Sequence, residues 1–159
     1  MGAVVTSISR RALLGAAMAI TVLPELVRAQ EGRDPASQEP TDVKIRMIFN
    51  GKTMSATLYD NPSARDLASM LPLDLTIADY NYDNNQMVAQ LPRKLTADGS
   101  GPFSNEQPGD ICYWPGWGNL ALIYASYRYN YGLIRLGRFD NGLEPILARG
   151  EFPLRIELI

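Results

Sequence analysis

The sequence predicts a single small, mainly β domain behind an N-terminal export signal. Short segments in which apolar and polar residues alternate recur along the chain, separated by turns rich in Gly, Asn and Pro at intervals of roughly 8–12 residues. Only one or two short stretches have helical periodicity. About eight such strands are typical of a β-barrel or a β-sandwich, and the alternation by itself leaves both open.

The first elements are a hairpin over residues 43–59 and a helix directly after it. Asn50-Gly51 separates two alternating segments, and both residues tolerate the positive φ of a type I′ turn. Asn61 or Ser63 can cap the following helix, which ends at Leu71-Pro72. At about two turns this helix is too short to be stable alone, so we expect it to pack on the sheet.

The remaining elements follow from the same patterns. A long loop is expected at 93–109 and a short helical piece near Leu143–Leu147. Strands are expected around Leu75–Tyr80, Gln86–Leu91, Asp110–Ile123 (two strands flanking a turn at Pro115–Asn119), Leu133–Phe139 and Phe152–Leu158. Residues 30–41 contain no apolar residue beyond one alanine and two prolines, so a flexible linker is expected over 30–42 and the domain over 43–159.

Residues 1–29 have the arrangement of a twin-arginine signal peptide. Two adjacent arginines within residues 9–14 precede the apolar stretch Ala12–Leu23, which is shorter than the ~20 residues that span a bilayer. Val27-Arg28-Ala29 fits a cleavage site. We expect recognition by the twin-arginine export machinery through residues 9–14, cleavage after Ala29, no stable membrane span afterwards, and a periplasmic or secreted location. A membrane-anchoring or amphipathic helix is the alternative.

Composition excludes several classes of function. The net charge is −2, and the predicted signal contains three arginines and one glutamate, so its removal leaves a more acidic domain. An acidic domain without Lys/Arg runs gives no indication of nucleic-acid or anionic-lipid binding. The chain has no histidine and one cysteine, which excludes Ser-His-Asp and Cys-His catalysis and an intramolecular disulfide. No phosphate loop, dinucleotide motif or zinc spacing is present, so no cofactor or metal is predicted.

Several segments together resemble the bacterial cyclophilin-like domain family, over roughly residues 43–158. They are Ile48–Lys52, Ala56–Leu67, Leu71–Leu75, Pro108–Pro115, Gly118–Tyr124 and Gly132–Gly137. The resemblance implies a closed eight-stranded antiparallel barrel with a helix covering an open end. The family is largely of unassigned function, and a shared fold does not by itself confer an activity.

Cyclophilins themselves are prolyl isomerases that use an arginine in a Phe-His-Arg stretch. This chain has no such stretch, and Gln107–Asp110 is only superficially similar to the Gln-Gly-Gly-Asp turn of those enzymes. No catalytic residue is therefore carried over, and an enzyme is not favoured. We expect an exported binding module for a small molecule or a peptide; the alternatives are a prolyl isomerase or folding helper, and a structural partner of another exported protein.

The best candidate for ligand binding is the segment 113–119. Tyr113, Trp114 and Trp117 place a phenol and two indoles on a loop fixed by Gly and Pro, and Asn119 could add a directional amide. The alternative, which we favour, is that these rings close one end of the barrel by packing alone.

Weaker candidates are the aromatic run after this segment and one arginine. Tyr124, with the tyrosines at 127, 129 and 131 and Arg128 among them, could form an aromatic wall for a sugar, a proline or a planar ligand, although a cross-strand aromatic ladder is favoured. Arg65 could contact an anion or a carbonyl, although a surface ion pair or plain solvation is favoured. Cys112 is expected to be buried and inert. A calcium site at Asp79, Asp83, Asn84 and Asn85 is less favoured than a plain turn.

Overall fold

A computed structural model of the protein describes residues 36–80 and 85–159. The described residues belong to one compact unit, and everything below concerns it. The predicted signal peptide, its cleavage site, and Asp83 and Asn84 of the considered calcium turn lie outside the described residues.

Eight antiparallel strands form a closed barrel, which confirms the predicted mainly β fold. They are β1 (Pro40–Phe49), β2 (Lys52–Tyr59), β3 (Leu73–Asp79), β4 (Gln86–Gln90), β5 (Asp110–Trp114), β6 (Asn119–Ile123), β7 (Ile134–Phe139) and β8 (Glu151–Leu158). Their order around the barrel is β1-β2-β7-β5-β6-β4-β3-β8, and β8 closes it by pairing with both β1 and β3. Closure gives every one of these strands two neighbours, so none is left as an open edge.

The β1–β2 hairpin forms as the alternation predicts. Ile45, Met47 and Phe49 point into the barrel and are at most 2% exposed. Asn50 and Gly51 form the two-residue turn with φ angles of 49° and 69°, as a type I′ turn requires.

The predicted linker over residues 30–42 is wrong for its last part, because residues 36–42 belong to the domain. Strand β1 begins at Pro40, three residues earlier than expected. Ahead of it, Gln38 Oε1 accepts a hydrogen bond from Arg135 Nε at 2.6 Å, and the Glu39 carbonyl accepts from Asp60 N at 2.8 Å. These contacts are polar, so a prediction based on the content of apolar residues could not detect them.

One α-helix, α1 (Pro62–Met70), follows β2. Asn61, one of the two predicted caps, caps it with its Oδ1 accepting from Ala64 N at 2.9 Å, and Pro62 occupies the first turn. Leu67 is fully buried and joins the interior cluster of the barrel, so the helix is held by packing. The helical piece expected near Leu143–Leu147 is a 3-10 helix, Glu144–Leu147.

The barrel has a second apolar layer on part of its outer wall. Four buried residues form this outer cluster, and four partly buried residues pack on it. The buried ones are Cys112, Ala121, Ile123 and Leu133, and the others are Val88, Phe103, Trp114 and Tyr127. Phe103 and Tyr127 come from the loops 91–109 and 124–133. This outer cluster therefore packs the two loops against β4, β5 and β6.

Gly137 of β7 lies too close to β2 for any side chain. A Cβ there would stand 2.3 Å from the Thr57 carbonyl oxygen and 3.0 Å from Leu58 Cα. We expect Gly137→Ala to lower the free energy of unfolding by roughly 1–3 kcal/mol, because backbone must move to admit the methyl group. Urea denaturation followed by circular dichroism measures this. Gly116→Ala, with no atom within 4 Å, is the control; equal stabilities of the two variants would contradict the expectation.

Candidate ligand-binding site

The turn between β5 and β6 presents the two tryptophans of the chain. The Trp114 carbonyl accepts from Gly118 N at 2.8 Å and from Trp117 N at 3.2 Å, and Gly118 has a φ of 71°, which glycine tolerates. From β4, the Gln90 carboxamide donates to the carbonyls of Trp117 and Gly118 at 3.1 and 3.0 Å. Hydrogen bonds to backbone therefore fix the turn that positions both indoles.

The two indoles and a tyrosine surround an open cleft of about 310 Å³. The ring centroids of Trp114 and Trp117 are 5.8 Å apart, and those of Tyr80 and Trp117 are 6.1 Å apart. Trp117 is 58% exposed. We call this the indole cleft, and its lining is Tyr80, Gln86, Trp114, Gly116, Trp117 and Asn130.

The polar groups of the indole cleft are two carboxamides. Gln86 is 5% exposed, and its Oε1 accepts from Trp114 Nε1 at 3.5 Å. Within the described residues, Gln86 Nε2 has no acceptor and the Asn130 side chain makes no hydrogen bond, although the Asn130 carbonyl accepts from Leu133 N at 2.9 Å. A carboxamide both donates and accepts, so the cleft offers a ligand uncharged groups of both kinds.

A second cleft, of about 640 Å³, lies beside the first. We call it the tyrosine cleft, and its lining is Ala97, Ser100, Gly101, Pro102, Pro115, Tyr129, Tyr131 and Gly132. Tyr129 is held in place by two contacts: its N–H donates to Glu106 Oε1 at 2.8 Å, and its ring meets Phe103 edge-on at 4.9 Å. Accepting that N–H lowers the pKa of the Glu106 carboxyl. Tyr131 is 94% exposed.

No charged residue lines either cleft in the part of the chain that the structure describes, although 20% of the chain is charged. A third cleft, of about 540 Å³ near the β1–β2 turn, differs in this respect. Its charged groups, Asp74 and Arg155, pair with each other at 2.9 Å. The indole and tyrosine clefts therefore form a distinct, uncharged aromatic surface.

Three of the predicted site residues lie away from this surface. Tyr113 is fully buried inside the barrel, where its hydroxyl accepts from Leu95 N at 3.0 Å. Tyr124 is 9% exposed, and its hydroxyl accepts from Arg149. Arg65 forms an exposed ion pair with Asp60 at 2.5 Å. Tyr113 lies inside the barrel because neighbouring residues of β5 point to opposite faces of the sheet, and Trp114 is on the outer face.

Two further predictions are only partly matched. Asn119 stands opposite Trp114 in the β5–β6 register but does not line the indole cleft, and its Oδ1 is buried with no hydrogen-bond partner among the described residues. The tyrosines after it do not form a cross-strand ladder, because residues 124–133 form a loop. Of these, Tyr129 and Tyr131 line the tyrosine cleft, while Tyr127 packs on the outer cluster.

A buried ionic cluster that was not predicted from the sequence lies beneath these loops. Asp110 and Arg135 are 0% and 1% exposed and pair at 2.9 Å, and Arg138 contacts the other Asp110 oxygen at 2.6 Å. Tyr127 donates to Asp110 Oδ2 at 2.7 Å. Burial raises the pKa of the Tyr127 phenol, which keeps it a donor. The available signal was Arg135 between the apolar residues Ile134 and Leu136 of a predicted strand, since arginine is rarely buried without partners.

Arg135 uses all of its N–H groups within the protein. The acceptors are oxygen atoms of Gln38, Ser104, Asn105 and Asp110. The Phe103 ring lies over the guanidinium at 4.4 Å. With every donor satisfied, Arg135 has none left for a ligand, and its hydrogen bonds hold the segment before β1 and the loop 91–109 against the barrel.

A sequence profile of the cyclophilin-like family matches residues 47–157. The chain belongs to the cyclophilin-like family. The barrel is also similar to the solution structure of the hypothetical protein AF2241 from Archaeoglobus fulgidus, with a TM-score of 0.58 and 16% identity over 76% of this chain and 97% of that one. At that identity the similarity concerns the fold alone. No match was found among curated proteins.

Two other features of this cyclophilin-like domain bear on its chemistry. Burial raises the pKa of the Cys112 thiol to about 12, and its sulfur lies 3.7 Å from the Tyr127 hydroxyl, so it stays a protonated thiol.

Asp79, which was considered as part of a calcium turn, instead pairs with Arg149 at 3.0 Å. Within residues 36–80 and 85–159 no cluster of His, Cys, Asp and Glu could hold a metal, and no helix is long and apolar enough to cross a membrane.

Proposed function

We propose that this cyclophilin-like protein is an exported binding module that takes a small molecule or a peptide segment in the indole cleft. The observation that carries the proposal is the pair Trp114 and Trp117, held 5.8 Å apart around an open cleft with Trp117 58% exposed. A large aromatic ring exposed at a rigid turn supports recognition, since its face can cover the apolar face of a ligand. The cleft volume of about 310 Å³ is at the lower end of ligand pockets, roughly 300–1,000 Å³.

Binding is favoured over catalysis by the composition of the lining. The described residues that line the indole cleft include no carboxylate, amine or thiol, the groups that transfer protons or form covalent intermediates near neutral pH. Its carboxamides can orient a ligand without reacting with it.

The export part of the proposal concerns residues 1–29, with cleavage after Ala29. Expression in a bacterium with an active twin-arginine pathway should give an exported protein that begins at Gln30, measured as intact mass. Replacing both arginines at positions 10 and 11 by lysine should leave the precursor in the cytoplasm, because the paired guanidinium groups are the recognised feature. An exported protein with its N-terminus intact would contradict cleavage, and unchanged export of the double variant would contradict the route.

The binding part is tested by ligand-observed NMR with a set of uncharged ring-containing fragments and short peptides. Because both tryptophans of the chain line the indole cleft, a true ligand should also shift the intrinsic tryptophan fluorescence. Trp117→Ala should weaken binding at least about tenfold, which corresponds to about 1.4 kcal/mol. Leu147→Ala, which removes another exposed apolar side chain (52% exposed) on the 3-10 helix, is the matched control. Ligands that bind wild type and Trp117→Ala equally would contradict the proposal.

A further inference from the structure

We infer that the indole cleft and the tyrosine cleft are two adjoining subsites for one uncharged oligosaccharide. The inference rests on the proposed function and names the class of ligand. It follows from the position of the two clefts, from the absence of charge, and from the hydrogen-bonding groups that line them.

The two clefts share the chain segments that form their common wall. Pro115 lines the tyrosine cleft and the adjacent Gly116 lines the indole cleft. In the loop opposite, Tyr129 and Tyr131 line the tyrosine cleft, while Asn130 between them lines the indole cleft. An extended ligand that crosses this wall contacts both clefts at once, and two linked subsites raise its affinity over that of a single unit.

The linings exclude ligands that depend on charge. Among residues 36–80 and 85–159, no lysine, arginine, aspartate or glutamate lines either cleft. Phosphates, sulfates and uronic acids need a cation or an array of N–H groups, and a basic ligand would find aromatic faces but no carboxylate to pair with it among the described lining residues. The aromatic and carboxamide groups present here instead suit a neutral ligand.

The hydrogen-bonding groups favour sugar hydroxyls over a proline-rich segment. Gln86 and Asn130 each present both a donor and an acceptor, and neither side-chain nitrogen has an acceptor among the described residues. A hydroxyl can donate and accept, so it satisfies both halves of a carboxamide. A proline has no N–H and offers only its carbonyl. Strand addition by a peptide is also unavailable, because each barrel strand already has two partners.

The aromatic rings supply the remaining contact. Trp117 is 58% exposed and Tyr131 94% exposed, one on each cleft. A pyranose ring has an apolar face of C–H groups, and the negative π face of an indole or phenol attracts such groups while removing apolar surface from water. One exposed ring in each subsite therefore provides a platform for successive sugar units.

The test is isothermal titration calorimetry, with tryptophan fluorescence in parallel, on the protein without its signal peptide as it is exported. The probes are maltohexaose, cellohexaose and chitohexaose, each with its monosaccharide. At least one hexasaccharide should bind saturably and at least about tenfold more tightly than its monosaccharide, because it occupies both subsites. Hexagalacturonic acid and an acetylated (Ala-Pro)3 amide serve as the charged and proline-rich comparisons and should not bind.

Single variants assign the two subsites. Trp117→Ala should weaken hexasaccharide binding at least about tenfold and reduce the fluorescence shift to the contribution of Trp114. Tyr131→Ala should weaken hexasaccharide binding at least about threefold while leaving binding of an indole-cleft fragment unchanged. Leu147→Ala should bind as wild type. If no neutral hexasaccharide binds at about 10 mM while fragments still occupy the indole cleft, the oligosaccharide inference fails and the proposed function stands. If a hexasaccharide binds all variants equally, binding lies elsewhere and the inference also fails.

Discussion

The Arg135 guanidinium lies on the outer wall of the barrel, 1% exposed, and its five N–H groups meet oxygen atoms from four residues. A charge buried in this way is tolerated only where a counter-charge and hydrogen bonds replace water. Asp110 supplies the counter-charge at 2.9 Å. The other acceptors come from the segment before β1 and from the loop 91–109, so the burial of one cation determines where both segments lie.

The same cluster extends to the residues that form the clefts. Asp110 accepts from Tyr127, which fixes the loop 124–133, and Phe103 stacks over the guanidinium at 4.4 Å and meets Tyr129 at 4.9 Å. The tyrosine cleft is therefore built on the buried cation. Removing one partner of a buried pair costs about 3–5 kcal/mol, because the other charge is left uncompensated. We infer that the cluster orders the uncharged aromatic surface that the two clefts form.

Much of the barrel could be predicted because its physical causes are local. Alternation identified the inner face of β1, Asn50-Gly51 identified the turn, and Asn61 identified the cap of α1. Alternation also contained the information that Tyr113 and Trp114 face opposite sides of β5. The residues 36–42 were missed because their contacts to the barrel are polar and pair them with partners far along the chain.

The candidate site could be predicted only in part. Trp114 ends β5 and Trp117 lies in the turn that follows, so their closeness in the sequence was enough to select them. Tyr80, Gln86 and Asn130 reach the same cleft only through the pairing of β4 with β3 and β6 and through the fold of the loop 124–133. The alternation of residues within one segment carries no information on which strands pair. The ionic cluster likewise joins residues from β5, β7 and two loops, and its existence depends on the outer layer that covers it.

The most direct test of the claim that the buried cation orders the binding surface is hydrogen–deuterium exchange on wild type and Asp110→Asn. The substitution keeps the shape of the side chain and removes the counter-charge of Arg135. Exchange is expected to accelerate in residues 101–107 and 124–133 while the strands of the barrel keep their protection. Asp74→Asn, which alters an exposed pair with Arg155, is the control and should change neither region. Unchanged exchange in the two loops, or an equal acceleration in loops and strands, would contradict the claim.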